Sequence, residues 1–93
     1  MTSEANVYYL GNFRSLQSQV VRFYALNEDG SYVDGTTLEE MLRVSIARLT
    51  ELNNKFPCRE NSIAITKMQE ALLWLNERTR DRVARGVEGQ HEA

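Results

Sequence analysis

The sequence predicts an α+β protein, a small antiparallel β-hairpin or sheet followed by an antiparallel two-helix hairpin, assembled as an oligomer. Three observations predict it. Aromatic and β-branched residues cluster in the N-terminal third around the turn residues Asn27-Glu28-Asp29-Gly30, two long stretches with apolar residues at helical spacing follow, and the one proline, Pro57, lies between those stretches. The 93 residues fit a single domain, with the β part at about 6–33, the helical hairpin at about 36–85 and a flexible tail at 86–93. A domain of this size buries only about 60 to 65% of the surface its unfolded chain exposes, so neighbouring subunits are expected to supply part of its stability.

In chain order, Asn6 to Leu10 reads as a short edge strand ending at the Gly11-Asn12 turn signal. Gln19 to Leu26 reads as a second strand, with Val21, Phe23 and Ala25 on one face by alternation. Gly30 accepts a positive φ, and Tyr32-Val33 returns as the partner strand of a hairpin that Asp34-Gly35 ends. Thr37 with Glu40 three positions on forms a capping-box signature, which starts a helix expected to run to about Asn54. Its apolar stripe is Leu38, Leu42, Leu49 and Leu52, joined by Met41, Val44 and Ile46, with Glu39, Glu40 and Arg43 mostly outside. Phe56-Pro57 stops that helix. A second is expected from Arg59 or Asn61 to about Arg85, where Gly86 suits a C-terminal cap. Ile65, Met68, Leu72 and Leu75 form its stripe, widened by Ala64, Ala71 and Trp74. From Asn76 to Arg82 no apolar residue occurs, so the last turns either protrude from the core or line a polar site.

Composition narrows the function. A net charge of -2 argues against a general binder of long nucleic acid, which usually shows a basic face over the whole domain. A single cysteine, Cys58, excludes an internal disulfide, and the one histidine, His91, has no second ligand of its kind for a metal. No segment approaches the roughly 18 to 20 apolar residues of a membrane span, so a cytosolic protein without a membrane partner is expected. Nine of the eleven basic residues are arginine, the side chain whose planar fork suits phosphate and base stacking as well as simple solubility.

Two groups of residues are candidates for chemistry. Arg78, Arg82 and Arg85 share a helix face at spacings of four and three, and their mutual repulsion is relieved either by an anionic ligand or by solvent near the negative helix C-terminus. Phe56, Arg59 and Asn61 meet at a helix start, where free N–H groups favour anions. There Phe56 can stack on a base, Asn61 can bond a base or ribose and Arg59 can meet phosphate. The alternative gives Asn61 or Ser62 a capping role and Phe56 a place in the core. Aromatics at Tyr8, Tyr9, Phe13, Phe23, Tyr24 and Tyr32, beside Arg14 and Arg22, make either a stacking platform or the sheet's own core. Catalysis finds little support: Cys58 has no activating histidine in a fixed position, and no glycine-rich phosphate loop occurs.

The stretches DGTTLEEMLRVSIARLTELN and FPCRENSIAITKMQEALLWLNERTRDRVARGVEG resemble the helical hairpin shared by two groups of phage immune-evasion proteins, the Thoeris anti-defence sponges and the anti-CBASS sponges. The run CRENSIAITKMQEALLWLN carries the signature of both, while the ERTRDRVARGVEG ending and the preceding β-hairpin resemble the Thoeris group. The resemblance implies a protein that is not an enzyme and needs no cofactor. Such a protein binds small signalling nucleotides, isomers of cyclic ADP-ribose such as glycocyclic ADP-ribose and also cyclic di- and trinucleotides, and holds them intact in the cytoplasm of the infected bacterium. It also implies a symmetric homo-oligomer, typically a hexamer, with pockets between subunits. By the same resemblance Phe56 and Asn61 match residues that grip the ADP-ribose isomer, with Arg59 added on physical grounds. Arg78 matches a phosphate-binding arginine of the cyclic-oligonucleotide site, and Arg14 and Arg43 match two further arginines of it. A helical-hairpin module for protein–protein interaction is the main rival expectation.

Overall fold

A computed structural model describes residues 5–86. The described residues form two compact units, divided between Thr37 and Leu38. The α+β class and the order of strands before helices are as the sequence predicts.

In the first unit β1 (Val7–Gly11) pairs antiparallel with β2 (Ser18–Arg22), from Val7 opposite Arg22 to Gly11 opposite Ser18. The loop between them is held by its own polar side chains: Asn12 Nδ2 donates to Ser15 Oγ at 3.0 Å, and Gln19 Nε2 donates to Asn12 Oδ1 at 3.0 Å. A second two-stranded sheet pairs β3 (Ala25–Leu26) with β4 (Tyr32–Val33). Its turn places Gly30 at φ 90°, with the Asp29 carboxylate accepting from the Ser31 hydroxyl at 2.6 Å and from the Ser31 N–H at 2.9 Å. Those bonds, the hydroxyl's first, hold the Asp29 carboxyl below its ordinary pKa.

The short edge strand expected over Asn6 to Leu10 is found as β1, paired on one side with β2. One sequence expectation changes here. The single strand expected over Gln19 to Leu26 is divided in two, because the backbone changes partner at Phe23. Phe23 N–H donates to Asn6 O at 2.8 Å, then Tyr24 N–H donates to Thr36 O at 3.0 Å and Thr36 N–H to Arg22 O at 2.8 Å. Asn6 turns the chain into β1 with φ 72°, a left-handed conformation that asparagine tolerates. The alternation itself survives the break: Val21, Phe23 and Ala25 are half-buried while Arg22 and Tyr24 are exposed. Phe23 packs edge-on against Tyr8, with ring centroids 5.6 Å apart.

The second unit is a helical hairpin of α1 (Leu38–Lys55) and α2 (Arg59–Arg85). Its half-buried residues lie along one seam. On α1 they are Glu39, Leu42, Ile46, Leu49 and Asn53, with Met41 beside them. On α2 they are Asn61, Ile65, Met68, Leu72, Leu75, Thr79 and Arg82, with Ala64 beside them. Steps of three and four alternate without interruption on both helices, which is the coiled-coil pattern of two antiparallel helices packed along their length. The middle of the seam is apolar and both of its ends are polar.

Several residues expected on the apolar stripes lie off this seam. Leu38, Val44, Leu52 and Ala71 are exposed, and Trp74 is 71% exposed, because a two-helix contact covers only one narrow row on each helix. Glu39, expected on the polar face, lies on the seam instead. Among the described residues no side chain is fully buried.

Gly35 lets the chain pass close against the backbone around Phe23 within the first unit. A Cβ at that position would lie 2.5 Å from the Phe23 carbonyl carbon, 2.6 Å from Arg22 O and 2.6 Å from Tyr24 N. All three are backbone atoms that cannot swing away, so Gly35→Ala is expected to destabilise the protein by about 1 to 3 kcal/mol. A thermal melt of the variant checks this, and an unchanged midpoint would contradict the close approach.

Candidate functional site

The link between the helices is ordered by two residues. Cys58 is the N-cap of α2, in extended conformation, and its Sγ accepts from Asn61 N–H at 3.4 Å. Asn53, in the last turn of α1, accepts from Cys58 N–H through Oδ1 at 3.0 Å and donates from Nδ2 to Ser62 Oγ at 3.2 Å. One amide side chain thus joins the end of α1 to the start of α2. Neither Asn61 nor Ser62 is the capping residue, since the cap is Cys58.

This leaves the Phe56, Arg59 and Asn61 side chains available on one short segment. Phe56 is 77% exposed, so it has no place in a core within this chain. The Asn61 amide is half-buried and, like the Arg59 guanidinium, it has no hydrogen-bond partner among the described residues. The segment thus carries an aromatic ring, a cation and an amide near a helix N-terminus, groups of the kinds that a base, a phosphate and a ribose require.

The arginines lie elsewhere. Arg78 Nη2 donates to Glu39 Oε2 at 3.4 Å, joining the far ends of α2 and α1, and Thr79 Oγ1 reaches the same oxygen at 3.5 Å. Arg43, on α1, donates from Nε to Glu40 Oε1 at 3.0 Å and from Nη2 to Glu40 Oε2. That fork holds the Glu40 carboxyl below its ordinary pKa, through the hydrogen bond first and then the charge. Arg85 pairs with Asp81 at 2.9 Å and Arg80 with Glu77 at 3.5 Å, which disperses the repulsion expected along this face. Arg82 Nε is buried on the seam without an acceptor. Arg14 sits at the tip of the β1–β2 hairpin with its guanidinium 5.5 Å from the Phe13 ring centroid.

Phe56, Arg59 and Asn61 all lie on the link segment at one end of the hairpin, Asn61 on the seam and Phe56 and Arg59 exposed, whereas Arg78 lies toward the other end. Arg78 lies seventeen positions beyond Asn61 on continuous α2, about 25 Å along the helix axis. The helical hairpin has two distinct polar ends. Asn53 and Glu39, which organise those ends, were not singled out by sequence reasoning. The signal was present, since both continue the spacing of Leu42, Ile46 and Leu49 along α1. Among the described residues no cluster of three or more His, Cys, Asp or Glu could hold a metal, and no helix is long and apolar enough to cross a membrane. His91 lies outside the described residues.

A chain with this hairpin and these two polar ends falls in a known class. Residues 16–80 match the family model described as the Acb2/Tad1 hairpin domain, and the protein belongs to that family. It is also similar to Thoeris anti-defense 1 from Bacillus phage SBSphiJ7, at 52% identity over 60 residues, which cover 63% of this chain and 42% of the relative. The match thus spans less than half of that relative's length.

Removing the Asn53 amide leaves a backbone N–H and a hydroxyl at the helix link without partners, so Asn53→Ala is expected to cost about 1 to 3 kcal/mol, measured by chemical denaturation. The Glu40–Arg43 pair makes a second prediction. A carboxyl whose folded pKa is lowered contributes stability above its unfolded pKa and loses it as pH falls through the folded value. The melting midpoint of Glu40→Gln should therefore fall less than that of the parent protein between about pH 5 and pH 3, and parallel curves would refute the assignment.

Proposed function

We propose that this protein is a phage anti-defence sponge. It captures signalling nucleotides of bacterial immunity, cyclic ADP-ribose isomers first and cyclic oligonucleotides at a second site, and holds them without turnover in the cytoplasm of the infected cell. The observation that carries this reading is membership of the Acb2/Tad1 hairpin family together with 52% identity to a phage protein named for Thoeris anti-defence. The geometry agrees with it. Exposed Phe56 and Arg59 and half-buried Asn61, with no side-chain hydrogen bond among the described residues, lie on the helix link and suit a ligand with a base, ribose and phosphates.

Arg78 and Arg43 serve the second ligand class at the other end of the hairpin, with Arg14 as a further contributor. The separation of the two polar ends along α2 supports independent sites. Sequestration requires tight binding without an activated nucleophile, so an exposed Cys58 engaged as a helix cap suits a non-enzymatic role. A homo-oligomer, a hexamer on the family resemblance, is part of the proposal. It would cover apolar residues that a single chain leaves open, among them Phe13 at 95% exposed and Trp74.

The test is isothermal titration with glycocyclic ADP-ribose and with a cyclic trinucleotide, followed by release and analysis of the ligand. Tight binding with intact ligand recovered is the expected result, and altered ligand or no binding to either would overturn the reading. Phe56→Ala and Asn61→Ala are each expected to weaken capture of the ADP-ribose isomer about tenfold or more, the loss of roughly one good contact. Arg78→Ala should spare that ligand and lose the cyclic trinucleotide.

A further inference from the structure

The two arginines of the helical hairpin assigned to the cyclic-oligonucleotide site are both already occupied. Arg78 is held by Glu39 and Arg43 by Glu40, consecutive residues in the first turn of α1. A helix N-terminus favours negative charge, so these carboxylates sit where a phosphate would also be stabilised. They stand in for the ligand's anionic groups. Of the two, Glu39 is the more enclosed: its side chain is 24% exposed against 43% for Arg78, and it lies on the seam with Thr79 as a second hydrogen-bond donor. One turn beyond Thr79 on the same seam, Arg82 keeps a buried Nε that has no acceptor.

We propose that Glu39 is a specificity-determining residue, an internal counter-anion that a phosphate must displace from Arg78 before a cyclic oligonucleotide is held. Ion pairs as exposed as this one are weak enough to exchange. A single phosphate gains little by replacing a carboxylate already in place. A ligand that presents two or three linked phosphates to several guanidinium groups gains from each exchange after the first, because the later ones are intramolecular. Glu39 thus lowers the affinity of every anion by the same displacement cost, which leaves a singly charged contact too weak to hold while a multivalent ligand, with its further contacts, stays bound. Solitary nucleotides are thereby kept off the arginines.

This inference rests on the reading that Arg78 meets phosphate, and its test separates the two. Cyclic tri-AMP and, separately, AMP are titrated into the full chain, its Glu39→Gln, Arg78→Ala and Glu39→Gln/Arg78→Ala variants, with melting curves recorded for each. Glutamine keeps the size of the side chain and an oxygen for Thr79, so the fold is expected to persist. Glu39→Gln should bind cyclic tri-AMP about three- to tenfold more tightly, the scale of one exposed ion pair, and should gain at least as much for AMP. In the Arg78→Ala background the same substitution should bring no gain, which separates release of Arg78 from a general change of net charge. Equal or weaker binding by Glu39→Gln, or an equal gain without Arg78, would overturn the counter-anion role while leaving the site itself intact. Failure of the parent protein and Glu39→Gln alike to bind cyclic tri-AMP would overturn both.

Discussion

The helical hairpin depends on the seam between α1 and α2. Steps of three and four run without a break from Glu39 to Asn53 and from Asn61 to Arg82, so the helices meet along a single row of side chains on each. Leu42, Ile46 and Leu49 with Ile65, Met68, Leu72 and Leu75 fill the middle of that row. A slip of either helix by one turn would set Asn53 or Glu39 against the apolar residues and leave their polar atoms without partners. The polar ends thus make the register specific, and the register determines which residues meet at each end.

Both ends of the seam use a side chain from one helix to organise the other. At the link Asn53 fixes the Cys58 N–H and Ser62, and Phe56, Arg59 and Asn61 lie on the segment between Asn53 and Ser62. At the open end Glu39 gathers Arg78 and Thr79. The link offers an aromatic, a cation and an amide with their contacting groups free, while the open end presents cations already matched by carboxylates. On the proposed function this contrast separates a site that is ready for ligand from one that has to exchange an internal anion first.

The first unit follows a different constraint. Its two small sheets are joined at Phe23 by backbone bonds to Asn6 and Thr36, and Gly35 allows the chain to pass against the backbone there. The alternation of Val21, Phe23 and Ala25 was legible because side-chain direction follows local pleating, which the partner change does not disturb. The break in the strand was not legible, since it depends on Asn6 and Thr36, which lie far from Phe23 in sequence.

Periodicity, a capping signature, one proline and one glycine were sufficient for the two helices and their antiparallel link, because helix signals are local. The resemblance of residues 34–89 to a phage sponge family was likewise readable, and the family model agrees with it. The candidate residues Phe56, Arg59 and Asn61 could be named from the sequence, but their freedom could not. It depends on Cys58 taking the cap and on Phe56 finding no core. The sequence by itself determined which elements form and which residue types the chain carries to each end of the hairpin. Only the tertiary structure decided which of those residues are engaged from one helix to the other: Arg78 by Glu39, and the link by Asn53. Periodicity says which face a side chain is on, whereas a hydrogen-bond partner is chosen by register and distance, and those exist only once the helices have packed.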